Sequence, residues 1–94
     1  MGDGVVEVDT LKFEVHRRID DLLPTTGKNH VSVRWEPQAR IVRLGVMIDN
    51  YTWDNRMVVL DRLLEFEAEH KNDFALEFDI VELQAVEDEA FADA

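Results

Sequence analysis

The sequence contains no cysteine and has few glycines, prolines and serines. Among its 94 residues there are four glycines and two prolines, and Ser32 is its one serine. Without thiols the chain has no disulfide, no Cys-ligated zinc and no iron–sulfur cluster. Ser32 lies in a predicted strand rather than in a nucleophile turn, and no glycine-rich phosphate loop is present. We therefore predict no catalytic residues and expect a protein that is not an enzyme.

Patterns that bind metals are also lacking. The three histidines, His16, His30 and His70, do not have the spacing of zinc ligands. Asp49 and Asn50 are not followed by the further ligands of a calcium-binding loop. The sequence therefore predicts no metal and no cofactor.

Basic residues and long apolar runs are scarce as well. Acidic residues outnumber basic ones by 21 to 10, so the net charge is −11. This charge repels nucleic acid and anionic membranes, and we expect neither as a partner. No apolar run approaches the roughly 20 residues of a membrane-spanning helix, and the first residues do not resemble a secretory signal. We expect a cytoplasmic location.

The sequence does contain enough apolar residues, 46% of the total, for a hydrophobic core. The length suits one domain, which we place at residues 1–84, with an acidic tail at residues 85–94 that we expect to be frayed. The short stretch Val5–Val8 is β-prone and forms either a first strand or a docked chain end.

Two segments have helical periodicity. Thr10–Leu23 has apolar residues at helical spacing, with Asp9 or Thr10 as its N-cap and Pro24 as its end. Apolar and polar residues also alternate at the start of this segment, as they do in a strand. The helical spacing of apolar residues continues through the whole segment, however, and it favours a helix. The second helix covers Trp53–His70, with Thr52 as N-cap. We expect its core stripe to contain Trp53, Met57, Leu60 and Leu64, widened by Val59, Leu63 and Phe66.

Three other segments alternate as strands do. Val31–Trp35 and Arg40–Ile48 form a predicted hairpin around a turn at residues 36–39, and Phe74–Leu83 forms the last strand. A four-residue loop would pair Trp35 with Arg40, Val33 with Val42, and Val31 with Leu44.

The predicted order of elements is (β)αββαβ. It indicates an α+β two-layer sandwich, in which two helices cover one face of an antiparallel sheet. If Val5–Val8 pairs with the sheet, the arrangement is ferredoxin-like.

The other face of this sheet would be open, and apolar residues on an open face can bind a partner. We therefore predict an interface through which the protein forms a homodimer or docks another protein. The candidate interface residues are Arg34, Ile41, Arg43, Met47, Val81 and Leu83.

A second candidate surface lies at the junction between the hairpin and the second helix. It combines Asn50, Tyr51, Trp53 and Arg56, and Tyr, Trp and Arg are frequent at interface hot spots. The alternative is that Trp53 only starts the core stripe.

The sequence alone leaves several hypotheses for the function. The leading hypothesis is a small non-enzymatic protein-interaction module. The alternatives are an acidic inhibitor or immunity-type protein that covers a basic partner, motivated by the net charge, and a regulatory domain that binds a small ligand at the Tyr51/Trp53 junction.

Overall fold

The computed structural model describes residues 7–83, in which helices and strands follow the order αββαβ apart from one short additional helix. The elements are α1 (Val8–Ile19), a 3-10 turn (Asp20–Leu22), α2 (Leu23–Thr26), β1 (Asn29–Glu36), β2 (Ile41–Ile48), α3 (Trp53–Glu69) and β3 (Ala75–Glu82). Val5, Val6 and the predicted tail at residues 85–94 lie outside the described residues. Within residues 7–83, none of the helices combines the length and apolar composition that crossing a membrane requires.

The predicted first helix is confirmed, but both of its ends differ from the prediction. Leu11, Val15 and Ile19 are buried, as their spacing indicates. The helix starts at Val8, so a strand over Val5–Val8, one of the two alternatives for this stretch, is wrong at Val8, and the N-cap is Glu7 rather than Asp9 or Thr10. Pro24 does not end a helix. It lies in the first turn of α2, where no N–H is needed for a helical hydrogen bond.

The hairpin of β1 and β2 forms with a different register. Trp35 pairs with Val42 and Val33 with Leu44, so each residue of β1 is shifted by two positions from its predicted partner. Arg40 belongs to the turn, where its positive φ of 53° and its N–H bond to the Pro37 carbonyl close the loop. A shift of two residues leaves every side chain on its predicted face, because side chains alternate with a period of two.

The sheet is mixed, so the prediction of an antiparallel sheet is wrong. Its order is β1-β2-β3, in which β1 and β2 are antiparallel and β2 and β3 are parallel. The crossover through α3 makes β2-α3-β3 a βαβ unit. In a ferredoxin-like sheet another strand would separate these two, so their direct pairing leaves that arrangement unconfirmed.

Both long helices pack on one face of the sheet, the inner face. The core joins Val15 of α1 and Leu63 of α3 to the alternate residues Val31, Val46 and Ile80 of the three strands. Val59, Leu63 and Phe66, which widen the stripe predicted for α3, are buried as predicted, together with Asn55, whereas the predicted centre of the stripe is wrong in phase. Trp53 and Leu64 are 70% and 44% exposed.

Ion pairs join α3 to α1 and to the 3-10 turn that follows α1. Arg62 of α3 donates to both carboxylate oxygens of Asp21, at 2.7 and 3.1 Å, and to the carbonyl oxygen of Arg18, at 2.7 Å. Arg18 in turn pairs with Glu69. These contacts leave the flank of α3 that faces away from α1 outside the helix–helix interface.

Candidate interaction site on the open sheet face

The strand register places residues in four rows across the second face of the sheet, the open face. Within residues 7–83, both long helices lie on the inner face. From one end of the strands to the other, the rows on the open face are Glu36–Ile41–Ala75, Arg34–Arg43–Glu77, Ser32–Gly45–Asp79 and His30–Met47–Val81. Five of the six candidate interface residues therefore share this face, and Leu83 follows directly after the end of β3.

Arg43 occupies the centre of the charged row. Its Nε donates to Glu36 Oε2 at 2.7 Å, and its Nη1 donates to Glu77. The hydrogen bond from Arg43 holds the pKa of Glu36 below its usual value, and the bond to Glu36 raises the pKa of Arg43. Arg43 therefore links all three strands, and much of its hydrogen-bonding capacity is used within the sheet.

Arg34 and Asp79 differ from Arg43 in their ion pairing. Both side chains are exposed, and neither forms an ion pair with another residue in the part of the chain that the structure describes. Arg34 lies on β1 and Asp79 on β3, at opposite edges of the sheet. The open face therefore has a cationic group at one edge and an anionic group at the other.

The apolar part of the open face is smaller than predicted. Met47 is only 8% exposed, so its predicted place as an exposed interface residue is wrong. Its methyl carbon lies 3.5 Å from the position that a Cβ of Gly45 would occupy, which is an ordinary van der Waals contact. Ile41 and Leu83 are half-buried, and Val81 is exposed.

A depression of about 370 Å³ lies beside Gly45 on this face. It is lined by Ser32 and Asp79 on either side of Gly45 and by the charged row of Arg34, Arg43 and Glu77. A Cβ at Gly45 would lie 2.9 Å from the Ser32 hydroxyl oxygen, so this close approach depends on the glycine. This mainly polar and charged lining is suited to ion pairs and hydrogen bonds with the surface of another protein.

The loop between β2 and α3 is held in place by two asparagines. Asn50 donates its backbone N–H to the Thr26 carbonyl at 2.8 Å and its side-chain amide to the Thr25 carbonyl at 3.1 Å. Asn50, a predicted recognition residue, therefore ties this loop to α2. Thr52 caps α3 as predicted and accepts the N–H of Asn55 at 3.1 Å.

Asn55 was not among the predicted site residues, although it is only 8% exposed. Its side-chain amide donates to the carbonyl oxygens of Asn50, at 2.9 Å, and Thr25, at 3.2 Å. The available signal was its helical spacing from Val59, which places it in the buried stripe.

The remaining residues of the predicted recognition loop lie at the surface. Tyr51 and Trp53 are both exposed. The guanidinium carbon of Arg56 lies 6.0 Å from the centre of the Trp53 ring, within the range of a cation–π contact. Trp53 therefore does not start the core stripe, and its exposed ring is available for contact.

His70 forms the other polar cluster that the sequence did not reveal. Its ring lies between Phe66 and Phe74, with centroid distances of 4.8 and 5.1 Å, and its nitrogens lie 3.1 Å from Glu14 Oε1 and 3.0 Å from Asp73 Oδ2. Burial opposes protonation, but the hydrogen bonds with Asp73 and Glu14 outweigh it and raise the pKa of His70. Asp73 follows His70 closely in sequence, whereas Glu14 is brought to it by the fold.

Over the described range 7–83, no group of three or more His, Asp or Glu side chains is placed to hold a metal ion. The chain matches no protein-family model, no curated protein and no solved structure.

Proposed function

We propose that the protein is a non-enzymatic interaction module that forms a homodimer through its open sheet face. The observation that carries this proposal is the separation of charge across that face, with Arg34 at one edge and Asp79 at the other. A surface with opposite charges at its two edges can be complementary to a second copy of itself.

The symmetry of a dimer favours this pairing. A twofold axis parallel to β2 would place β1 of one copy over β3 of the other, since the rotation exchanges the two edges of the sheet. Arg34 would then lie near Asp79 and Glu77 of the second copy. The two Arg43 side chains would approach each other near the axis, but each is already compensated by Glu36 and Glu77.

Apolar contacts would add to this electrostatic match. Ile41 and Val81 lie at opposite ends of the open face, and Gly45 lies between them, where the missing side chain permits close approach of two sheets. Facing sheets normally pack with side chains interdigitated about 10 Å apart. The face is therefore suited to a modest interface in which charge sets the orientation.

Charge reversal tests the proposal directly. Arg34→Glu and Asp79→Lys should each weaken the dimer, because each places like charges opposite one another. The double variant should restore it by exchanging the two charges. The measurement is the molar mass from light scattering during size-exclusion chromatography, over a concentration series into the high micromolar range.

Asp61→Lys is the matched control, because Asp61 is an exposed carboxylate on α3, away from the open face. It should leave the molar mass unchanged. A native protein that is monomeric throughout the series would overturn the proposal, as would a double variant no more associated than its parents. The acidic-inhibitor and small-ligand hypotheses stay predictions, as does the cytoplasmic location.

A further inference from the structure

The outer edge of β3 carries backbone groups that point away from the sheet. β3 is at the edge of the strand order β1-β2-β3, and within residues 7–83 no strand lies beyond it. The N–H of Ala75 donates toward β2, to the Arg40 carbonyl at 3.0 Å. Because the direction of these groups alternates along a strand, the N–H and C=O groups of Leu76, Phe78 and Ile80 point to the free edge.

An apolar flank of α3 lies on the same side of the molecule as this edge. The outer stripe, as we name it, contains Trp53, Met57, Leu60 and Leu64, which share one side of the helix. Leu64 lines a groove together with Phe74 and Leu76, at the start of β3. Arg62, on the other side of α3, reaches Asp21 instead. Leu64 of the outer stripe therefore lies beside the start of β3, on the flank of α3 away from Arg62 and Asp21.

The exposure of the outer stripe shows that this side of the core is incompletely covered. Trp53 is 70% exposed and Leu64 is 44% exposed, while Leu76 and Phe78 are only partly buried against the core. A strand added beside β3 would place alternate side chains beneath the outer stripe. The free edge and the outer stripe together have the form of a site for strand addition.

The charge on β3 determines which strand fits. Glu77 and Asp79 are both exposed on the open-face side of β3. If a second copy paired its β3 antiparallel to this one, these carboxylates would meet their counterparts, and like charges on adjacent strands are destabilising. A strand with basic residues on that side would instead be attracted to them.

We infer that the free edge of β3 binds an extended segment of another protein in which apolar residues alternate with lysine or arginine. The backbone of this segment pairs with Leu76, Phe78 and Ile80. Its apolar side chains pack beneath the outer stripe, and its basic side chains lie beside Glu77 and Asp79. The backbone pairing uses an edge of the sheet that the proposed homodimer leaves free, because an added strand extends the open face without covering it. The carboxylates of Glu77 and Asp79 belong to both surfaces.

The probe is a synthetic peptide in which lysine and valine alternate over the eight-residue length of β3. A peptide of alternating glutamate and valine, with the same length and apolar content, is its control. Hydrogen exchange of individual amides, followed by NMR, should show new protection of Leu76, Phe78 and Ile80 when the lysine peptide binds. The amides of Glu77 and Asp79, which face β2, should change little.

Two substitutions on opposite flanks of α3 identify the apolar contact. Leu64→Lys should weaken binding of the lysine peptide by about tenfold or more, since it removes an apolar side chain of the outer stripe. Val58→Lys is the matched control: it adds the same charge to an exposed apolar position on the same helix, outside the outer stripe. The affinity is measured by fluorescence anisotropy of a labelled peptide.

Three results would each overturn the inference. They are the absence of binding, binding that leaves the amides of Leu76, Phe78 and Ile80 unprotected, and equal weakening by Leu64→Lys and Val58→Lys. Equal binding of the glutamate peptide would also contradict it, because the expected partner is selected by its charge.

Discussion

The two faces of the sheet are built from the same three strands but are stabilised in different ways. On the inner face, Val31, Val46 and Ile80 are buried beneath the helices. On the open face, Arg43 bridges Glu36 and Glu77 at the surface. Burial of apolar side chains stabilises a fold much more strongly than exposed ion pairs do. The inner face therefore carries the stability, and the open face is free to vary in its contacts.

The largest contrast is expected from one substitution made on each face. Val46→Ala removes two methyl groups from a fully buried position on β2 and should lower the free energy of unfolding by about 2 to 3 kcal/mol. Val81→Ala makes the same change at an exposed position on β3, where an effect within about 0.5 kcal/mol is expected. Denaturant unfolding measures both, and equal losses would contradict the division between the faces.

Asn55 is a polar exception within the buried layer. Asn55→Ala should cost about 1 to 2 kcal/mol, because the carbonyl oxygen of Asn50 loses the amide donor of Asn55 and that of Thr25 keeps only the Asn50 side-chain amide. Asn72→Ala, in the exposed turn before β3, is the control and should have little effect. A neutral result for Asn55→Ala, by the same unfolding measurement, would show that water replaces the amide at this junction.

His70 makes the stability of the helical layer dependent on pH. Its pKa is raised in the folded state, so protonated His70 stabilises the fold fully below its ordinary pKa, and this contribution is lost as the pH rises through the raised value. The stability difference between the native protein and His70→Gln should therefore shrink from about pH 6 towards pH 8. Unfolding measured across this range tests it.

NMR titration of the His70 ring gives the pKa directly. A difference in stability that stays constant with pH would show that His70 acts only through its packing between Phe66 and Phe74.

The smallest effect is expected on the open face. Arg43→Gln removes the ion pairs with Glu36 and Glu77, but these groups are exposed and screened by solvent and salt. The loss of stability should be slight and should decrease further at high salt, whereas Arg34→Gln should show neither effect. A loss as large as that of Val46→Ala would show that the open face also carries the fold.

Local patterns were sufficient to predict most of the elements. The alternation of Val31, Val33 and Trp35 identified β1 and its inner side, and Thr52 was a correct N-cap because its hydroxyl accepts an N–H of the first turn. The hairpin register was wrong because two registers that differ by two residues bury the same side chains. Only the conformation of Arg40 in the turn distinguishes them.

The phase of α3 was also ambiguous in the sequence. Its apolar residues form two adjacent stripes, one containing Val59 and Leu63 and the other Leu60 and Leu64, and both repeat with the helical period. Packing against α1 and the sheet selects the first stripe for burial. The same choice leaves Leu64 of the second stripe exposed beside the start of β3, where we infer the partner strand to bind.

The sequence by itself determined the α+β class, the separation of each strand into an apolar and a polar side, and the location of the two long helices. These properties depend on contacts between residues close in the chain. The tertiary structure decided the parallel pairing of β3 with β2, the burial of Met47, and the contact between His70 and Glu14. These features depend on how segments that are distant in the sequence pack together. The periodic pattern of a helix or strand shows which of its sides is apolar, but it does not show which other segment packs against that side.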